Sequence, residues 1–370
     1  NQRQEECWGY VEEVNGVKLA MVEIPGGSFT MGAHDGESGY KEEKPQHQVD
    51  VKGFLLGRTE VTQAQWRAVA QLPKVKIDLT PDPSHFKGDD LPVESVSWHE
   101  AQAFCEKLRE MTGKEYRLPS EAEWEYLGRG GHYTPYRNFP WGDDADYAKA
   151  NWPDSKDPYE TGPYPWTTPV GFYDGKLKRK SDFNWPGIQE TYQTANGVNG
   201  FGLYDMSGNV WQWCHDWYGR DYYTTSPAKN PPGPEKGDPM PDGLAYRVMR
   251  GGNWYNGDAS DPGHGRVSNR DPGYFRGPQD PNHPYYHVGF RVVRAAQSIT
   301  VVSAASYASG PVAPNSIAAA FGTGLSGLVT VKDSAGVSRT AQVLVGTATQ
   351  VNFIVPSGTA SGSATISIGA

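Results

Sequence analysis

The amino-acid composition changes abruptly near residue 295, and this change constrains the fold more than any other feature of the sequence. Residues 299–370 contain only three charged side chains, those of Lys332, Asp333 and Arg339, and no tryptophan or cysteine. All 12 tryptophans and all three cysteines precede that point. A shift of this kind is typical of two separate cores. The predicted organisation is an N-terminal extension at 1–20, a large domain at 21–294 and a small domain at 299–370.

The small domain is predicted to be an all-β sandwich of roughly 70 residues. Runs rich in β-branched residues, separated by turn residues, lie at 328–331, 341–345, 350–355 and 363–368. The pattern resembles the immunoglobulin-like modules that end many large secreted bacterial proteins. A flexible linker rich in Ser, Thr and Gly is the alternative. Few charged residues protect the strand edges from pairing, so these edges could accept strands from neighbouring chains. The run at 363–368 could be a donor strand or a truncated one.

The large domain combines many aromatic residues with many turn residues. Aromatics make up 12% of the chain, which also holds 44 glycines and 29 prolines. This composition favours a compact, loop-rich fold over a helical bundle. The sequence predicts three helix starts. Thr62, Ser97 and Ser120 each precede a Gln or Glu by three positions, which is the capping-box pattern. The second helix is predicted to stop at Gly113.

Charge and hydropathy exclude several classes of partner. A net charge of −9 argues against nucleic acid, since phosphate binding requires a basic face. No apolar stretch approaches the ~20 residues of a membrane-spanning helix. The polar N-terminus does not read as a signal peptide, so we expect that any such peptide has been removed. The cysteines, Cys7, Cys105 and Cys214, leave the redox compartment open.

Eight motifs in the large domain occur in the order typical of one family. They read VEIPGGSFTMG (22–32), EVTQAQW (60–66), PVESVSW (92–98), RLPSEAEWEY (117–126), PWG (140–142), NGFGLYDMSGNVWQW (199–213), RGGNW (250–254) and VGFR (288–291). On these motifs the region resembles the formylglycine-generating-enzyme, or sulfatase-modifying-factor, family. The resemblance implies an elaborated C-type-lectin-like α+β fold with little regular secondary structure.

The resemblance does not decide between the family's activities, which include copper-dependent formylglycine-generating oxidases, iron-dependent sulfoxide synthases and domains without known chemistry. The oxidases hold Cu(I) between two thiolates that follow the Gly-Gly turn. In this chain Asn256 stands where the first cysteine belongs, and no cysteine follows Cys214. The synthases require an extra N-terminal helical domain, for which the residues before position 21 are too few. We therefore expect no copper and no catalytic residues.

Calcium is the metal that the resemblance favours, since it accepts carbonyl and carboxylate oxygens from irregular loops. The family binds calcium through an Asn-Gly-x-Gly loop and an Ala-Asn-x loop with a downstream carboxylate. The matching positions are Asn199, Gly200, Gly202 and Tyr204 in the first loop and Asn151, Trp152 and Glu160 in the second. The alternative interpretation of the first loop is a plain turn.

A ligand-binding cleft is predicted in the segment that corresponds to the family's active site. Its aromatic and polar side chains resemble those of adaptable binding surfaces, and diversified ligand-binding proteins share the lectin-like fold. The expected cleft residues are Trp254, Tyr255, Asn256, Arg266, Arg270 and Tyr274. In the alternative interpretation the tryptophans belong to the core and the loop is a solvated insert.

The missing thiols and the charge-poor tail together predict a secreted or surface-displayed protein with a binding or structural role and no catalysis. Its expected partners are further copies of itself, another surface protein or a glycan. Self-assembly into an extracellular filament through the small domain is one version of this hypothesis. The competing hypothesis is a metal-dependent oxidase with different active-site ligands.

Overall fold

The computed structural model describes residues 9–37, 39–130, 136–160, 166–255, 262–270, 279–295, 300–303, 312–321, 328–347 and 350–369. The described residues fall into two compact units. One unit lies within residues 1–111 and 115–295, and the other within 296–370 together with 112–114.

The helices of the described residues all lie in the first unit, apart from Thr112 at the end of one of them. They are α1 (Gln63–Ala70), α2 (Trp98–Thr112), α3 (Glu121–Gly128) and α4 (Lys180–Phe183). The three predicted helix starts are confirmed. Thr62 and Ser120 each form a reciprocal capping box, and the Ser97 hydroxyl accepts the Glu100 N–H at 3.2 Å. Helix α2 ends as predicted before Gly113, which has a φ of +66°.

Short strands make up the regular structure around these helices. They are β1 (Gly9–Val14), β2 (Val17–Ile24), β3 (Gly27–Met31), β4 (His47–Val51), β5 (Phe54–Gly57), β6 (Tyr116–Arg117), β7 (Leu177–Arg179), β8 (Thr191–Gln193), β9 (Trp211–Trp217), β10 (Arg247–Arg250), β11 (Val288–Gly289) and β12 (Val293–Ala295). Five of them form an antiparallel sheet in the order β1-β2-β5-β12-β6. A second sheet has the order β10-β9-β11, and the pairs β3–β4 and β7–β8 stand alone.

Tryptophan rings from the family-like motifs fill the core of the first unit. Trp66, Trp124, Trp211 and Trp213 are fully buried. Trp66 stacks on Phe104 of α2 with their ring centroids 5.5 Å apart. Large flat rings of this kind span the gaps between short elements, so a domain with little regular structure still has a continuous core.

Buried ion pairs join α3 to the later part of the chain. The Arg250 guanidinium lies 3.0 Å from Glu121 Oε1 and 2.6 Å from Glu125 Oε2, and all three side chains are buried. Arg270 also binds Glu121, at 2.8 Å, and Arg129 binds Glu125, at 2.7 Å. Burial opposes ionisation of Glu125, yet the guanidiniums of Arg129 and Arg250 hold its pKa below the ordinary value.

The described strands of the second unit pair with one another in antiparallel fashion, in one continuous order. They are β13 (Thr300–Ser303), β14 (Ile317–Phe321), β15 (Leu328–Lys332), β16 (Ser338–Gly346), β17 (Gln350–Ile354) and β18 (Thr365–Gly369), and the order is β13-β14-β17-β16-β15-β18. The four predicted strands are therefore present. Strand β16 pairs with β15 through its first half and with β17 through its second half. The buried apolar side chains are aliphatic apart from Phe353, and the charged Asp333 is buried as well.

The buried ion pairs predict unequal costs for removing two arginines. Arg250→Met leaves two buried carboxylates short of a partner, so we expect the free energy of unfolding to fall by about 3–5 kcal/mol. Arg67 is the matched control, because it pairs with Asp82 and Asp89 at 2.8 and 3.0 Å but is about one-third exposed. Arg67→Met should cost less than about 1 kcal/mol. Urea unfolding measures the free energy of unfolding of both variants. Equal losses would contradict the conclusion that the buried pairs of Arg250 matter more for stability than the exposed pairs of Arg67.

Candidate functional site

Six aromatic side chains from four separate segments meet on one face of the first unit. They are His85, Phe86, Trp166, Trp254, Tyr255 and Tyr286, and we call them the aromatic surface. Trp166, Tyr286 and Tyr255 remain 41%, 40% and 38% exposed, which is unusual for rings of this size. Phe86 and Trp254 are buried beneath them.

The rings are in mutual contact. Phe86 lies 5.1 Å from Trp166 and 5.3 Å from Trp254, measured between ring centroids. Trp254, Tyr255 and Tyr286 form a triangle with centroid distances of 5.3, 5.7 and 5.9 Å. These spacings and tilted geometries are those of favourable aromatic pairs, so the exposed rings are held in place by the buried ones.

Backbone hydrogen bonds to two buried asparagines position the tryptophans. The Trp254 N–H donates to the Asn209 carbonyl at 2.9 Å. The Asn151 side chain donates to the Trp166 carbonyl at 2.8 Å, and the Asn209 N–H donates to the Asn151 carbonyl at 2.9 Å. Gly252 makes the turn that delivers Trp254, because its φ is +76° and a Cβ there would lie 2.9 Å from the His264 carbonyl oxygen.

The predicted cleft residues divide between this surface and the interior. Trp254 and Tyr255 belong to the aromatic surface, whereas Asn256 and Tyr274 lie outside the described residues. The structure places Arg266 and Arg270 in buried ion pairs instead of along a shallow cleft. Arg266 binds Glu37 and Glu43 at 2.7 and 2.8 Å. A guanidinium in the interior requires carboxylate partners, and these come from distant parts of the sequence.

The predicted cleft does not include four members of the surface, namely His85, Phe86, Trp166 and Tyr286. The available signal was the density of rings in the run HPYYH at 283–287. Within that run His287 is almost fully buried, and burial lowers the pKa of its imidazole to about 4. This ring is therefore neutral at physiological pH.

The loop at 199–204 offers few open oxygens for calcium. The Asn199 side-chain oxygen accepts the N–H groups of Phe201 and Leu203, at 3.0 and 3.1 Å. The Gly202 carbonyl accepts from the Arg58 guanidinium at 3.3 Å, and the Tyr204 carbonyl accepts from the Arg291 guanidinium. Two of the expected ligand carbonyls are thus already in contact with cationic side chains, which makes this loop a poor fit.

The loop that begins at Asn151 offers one buried oxygen that a cation could satisfy. The Asn151 side-chain oxygen is buried and accepts no hydrogen bond within the described part of the chain. An orphaned buried acceptor costs roughly 1–3 kcal/mol unless water or a cation satisfies it. Trp152 follows in the same loop and is buried. Glu160 is half-buried and accepts the N–H groups of Asp154 and Lys156, both at 2.5 Å.

The two cysteines among the described residues are poorly suited to bind a soft metal. Cys105 and Cys214 are fully buried and unpaired, and Cys7 lies outside the described residues. Burial raises the pKa of the Cys105 thiol to about 12 and raises that of Cys214 as well, so neither forms a thiolate readily. The described residues bring together no group of three His, Cys, Asp or Glu side chains that could hold a metal ion.

The described residues also contain no helix suited to crossing a bilayer. Helix α2 has 15 residues and carries charged side chains along its length.

Proteins of similar sequence differ in the activities that their names state. The formylglycine-generating enzyme of Streptomyces coelicolor is 29% identical over 288 residues, which cover 63% of this chain and 78% of that protein. The serine/threonine-protein kinase Pkn1 of Chlamydia caviae is 31% identical over 256 residues, covering 63% of this chain. The chain spans about a third of the length of that kinase.

Two solved structures resemble most of this chain. PvdO of Pseudomonas aeruginosa has a TM-score of 0.56 and 28% identity, covering 78% of this chain and 98% of PvdO. Treponema denticola variable protein 1 has a TM-score of 0.55 and 24% identity, covering 78% and 99%. These likenesses confirm the predicted mixed helix-and-sheet fold of the formylglycine-generating-enzyme type, with little helix.

The family model of the sulfatase-modifying factor enzyme 1-like domain matches residues 12–296, which is most of the chain. That range contains all eight motifs of the large domain, including the Gly-Gly turn that precedes Trp254. This chain therefore belongs to the sulfatase-modifying factor enzyme 1-like (FGE-sulfatase) family.

Proposed function

We propose that this protein is a non-catalytic binding protein whose ligand lies against the aromatic surface. The observation that carries the proposal is the set of three exposed rings, Trp166, Tyr255 and Tyr286, held by buried neighbours. Rigid aromatic side chains provide a large contact area at a small cost in conformational entropy. Residues of this type dominate the binding energy of many interfaces.

The donor set argues against formylglycine-generating chemistry. Binding of Cu(I) requires soft thiolate ligands, and no cysteine follows Cys214 in the sequence. Neither amide nor carboxylate side chains replace sulfur in a linear dithiolate. The alternative is an oxidase with another metal and other ligands. Among the related proteins, the formylglycine-generating enzymes are catalysts, whereas LppX of Paenibacillus barcinonensis is named a chaperone protein.

The partner that this surface suits is another surface protein or a glycan. Aromatic rings stack on the apolar faces of sugar rings and of protein side chains alike. The net charge of −9 disfavours nucleic acid as a ligand.

We further infer that the protein is secreted or displayed at the cell surface and that the second unit is an immunoglobulin-like sandwich which mediates self-association into filaments. Support comes from the uncharged faces of this unit. Ile317, Leu328, Val343 and Leu344 are each about half exposed. Strands β13 and β18 stand at the two ends of the strand order, where a neighbouring chain can pair.

Calcium is the proposed metal, in the loop that begins at Asn151. The buried, unsatisfied oxygen of Asn151 is the observation that favours it. Trp152 through its carbonyl and Glu160 through its carboxylate are the further candidate ligands. A cation there would stabilise the segment that also holds Trp166.

Substitution in the aromatic surface tests the binding proposal. The purified protein is screened on arrays of soluble glycans and of extracellular proteins, and the dissociation constant of each hit is measured for variants. Tyr255→Ala should weaken binding about tenfold or more, because an exposed aromatic anchor contributes roughly 2 kcal/mol. Tyr40→Ala is the matched control, since Tyr40 is also 38% exposed but lies outside the surface. Equal effects of the two substitutions would exclude this surface as the site.

Metal analysis separates the binding protein from the oxidase. Purified protein should contain no stoichiometric copper or iron, and calcium should raise its melting temperature. Asn151→Ala should remove the calcium effect, whereas Asn196→Ala, at an exposed asparagine, should preserve it. Oxidation of a cysteine-containing peptide in air that a copper chelator abolishes would overturn the non-catalytic assignment.

Electron microscopy and light scattering test self-association. The full chain should form filaments that lengthen with protein concentration, because heterologous contacts that do not close produce open assemblies. Val343→Lys, at an exposed position on β16, should shift the population toward single chains through charge repulsion. Particles of monomer size at all concentrations would contradict the filament version.

A further inference from the structure

Two segments that together carry half of the aromatic surface are linked through the buried Glu94 and its neighbour Ser95. One segment is 84–86, with His85 and Phe86, and the other is 285–286, with Tyr286. The rings of His85 and Tyr286 touch across the junction, with centroids 6.1 Å apart. Glu94 is fully buried. Its hydrogen bonds, together with those of Ser95, connect the two segments.

Glu94 holds the first segment through its side chain and its backbone. The Phe86 N–H donates to Glu94 Oε1 at 2.9 Å. The Ser84 hydroxyl accepts the Glu94 N–H at 3.2 Å and donates to the Glu94 carbonyl at 3.3 Å. Three hydrogen bonds thus fix a short irregular segment in which no helix or strand satisfies the backbone.

The second segment is joined through the neighbouring residue. The Ser95 hydroxyl donates to Glu94 Oε2 at 2.7 Å, and the Ser95 N–H donates to the Tyr285 carbonyl at 3.0 Å. Ser95 has a φ of +59°, a left-handed conformation that a non-glycine residue adopts at a cost of about 1–3 kcal/mol. The contacts of Glu94 and Tyr285 compensate this cost, so the carboxyl, Ser95 and the second segment act together.

The Glu94 carboxyl changes its charge near neutral pH. Burial raises the pKa of its carboxyl to about 7, against the hydrogen bonds from Ser95 and from the His85 and Phe86 backbone, which lower it. The titratable side chains on the first segment and just beyond it are His85 and Lys87, and the Lys87 cation also lowers the pKa. On the second segment they are Tyr285 and Tyr286, flanked by His283 and His287.

We propose that Glu94 is a positioning residue for the aromatic surface and that its protonation tightens the junction of the two segments. The neutral carboxyl resides in the interior without the cost of burying a charge, and it still accepts the Phe86 N–H on one oxygen. The carboxylate, in contrast, gains hydration when the junction opens. The role in binding rests on the proposed function, whereas the coupling between the segments does not.

The direction of the pH effect follows from linkage. A carboxyl that titrates higher in the closed junction than in the opened one, where its pKa is about 4.3, favours the closed junction at low pH. That advantage is lost as the pH rises from about 4.3 to about 7. The surface is therefore most ordered in mildly acidic solution and loosens towards neutral and alkaline pH.

Hydrogen exchange of the full chain tests this inference without a ligand. Amide protection of peptides covering 84–86 and 285–286 is measured at about pH 5 and about pH 8, after correction for intrinsic exchange rates. Protection should fall about tenfold or more over this range in the wild-type protein. Glu94→Gln mimics the neutral carboxyl, with an oxygen for the Phe86 N–H and an amide towards Ser95, so its protection should stay high at both pH values.

Gln63→Ala is the control for a merely structural role. The Gln63 amide donates to the Phe86 carbonyl at 2.9 Å, so it holds the same segment without a titrating group. This variant should lower protection at both pH values and retain the pH dependence. Protection that is independent of pH in the wild type, or an equal slope in Glu94→Gln, would overturn the inference. Either result leaves ligand capture by the surface to be judged separately on the glycan and protein arrays.

Discussion

The buried ion pairs around α3 are the constraint on which the first unit depends. Glu121 and Glu125 lie one helical turn apart and bind Arg250 from β10, while Arg270 reaches back to Glu121. Such pairs add little net stability compared with apolar side chains. Removal of either partner is nevertheless strongly destabilising, because it leaves a buried charge without compensation. These ion pairs fix the position of Arg250, where β10 ends, and of Arg270, twenty residues later in the chain. Trp254 and Tyr255 follow from this anchored position, which explains how loop residues present a defined surface.

The aromatic surface includes residues that end or directly follow one of the motifs shared with the family. The Gly-Gly turn and the buried Trp254 persist, and they place Tyr255 in contact with Tyr286. The thiols that would give this region copper chemistry are missing from the sequence. Because function resides in side chains at a site and not in the fold, the same frame accommodates catalysis or binding. Exposed rings on a rigid support favour binding.

The interiors of the two units contain different kinds of side chain. The first covers irregular segments with tryptophan and buried charge pairs, and many of its polar side chains are inside. The second relies on an antiparallel strand order with small aliphatic residues and Phe353 in its interior. A unit with so few charges leaves apolar side chains at its surface, which links its composition to the proposed self-association.

The sequence by itself determined the elements whose signals are local. The caps at Thr62, Ser97 and Ser120 and the strands after residue 328 could be predicted because neighbours in sequence decide them. The ordered motifs identified the family for the same reason. Only the tertiary structure decided the site. Phe86, Trp166 and Tyr286 are far apart in sequence, and Arg266 is buried because Glu37 and Glu43 reach it from more than two hundred residues away. Contacts between distant residues leave no periodicity in a single sequence, so they emerge only when the chain has packed.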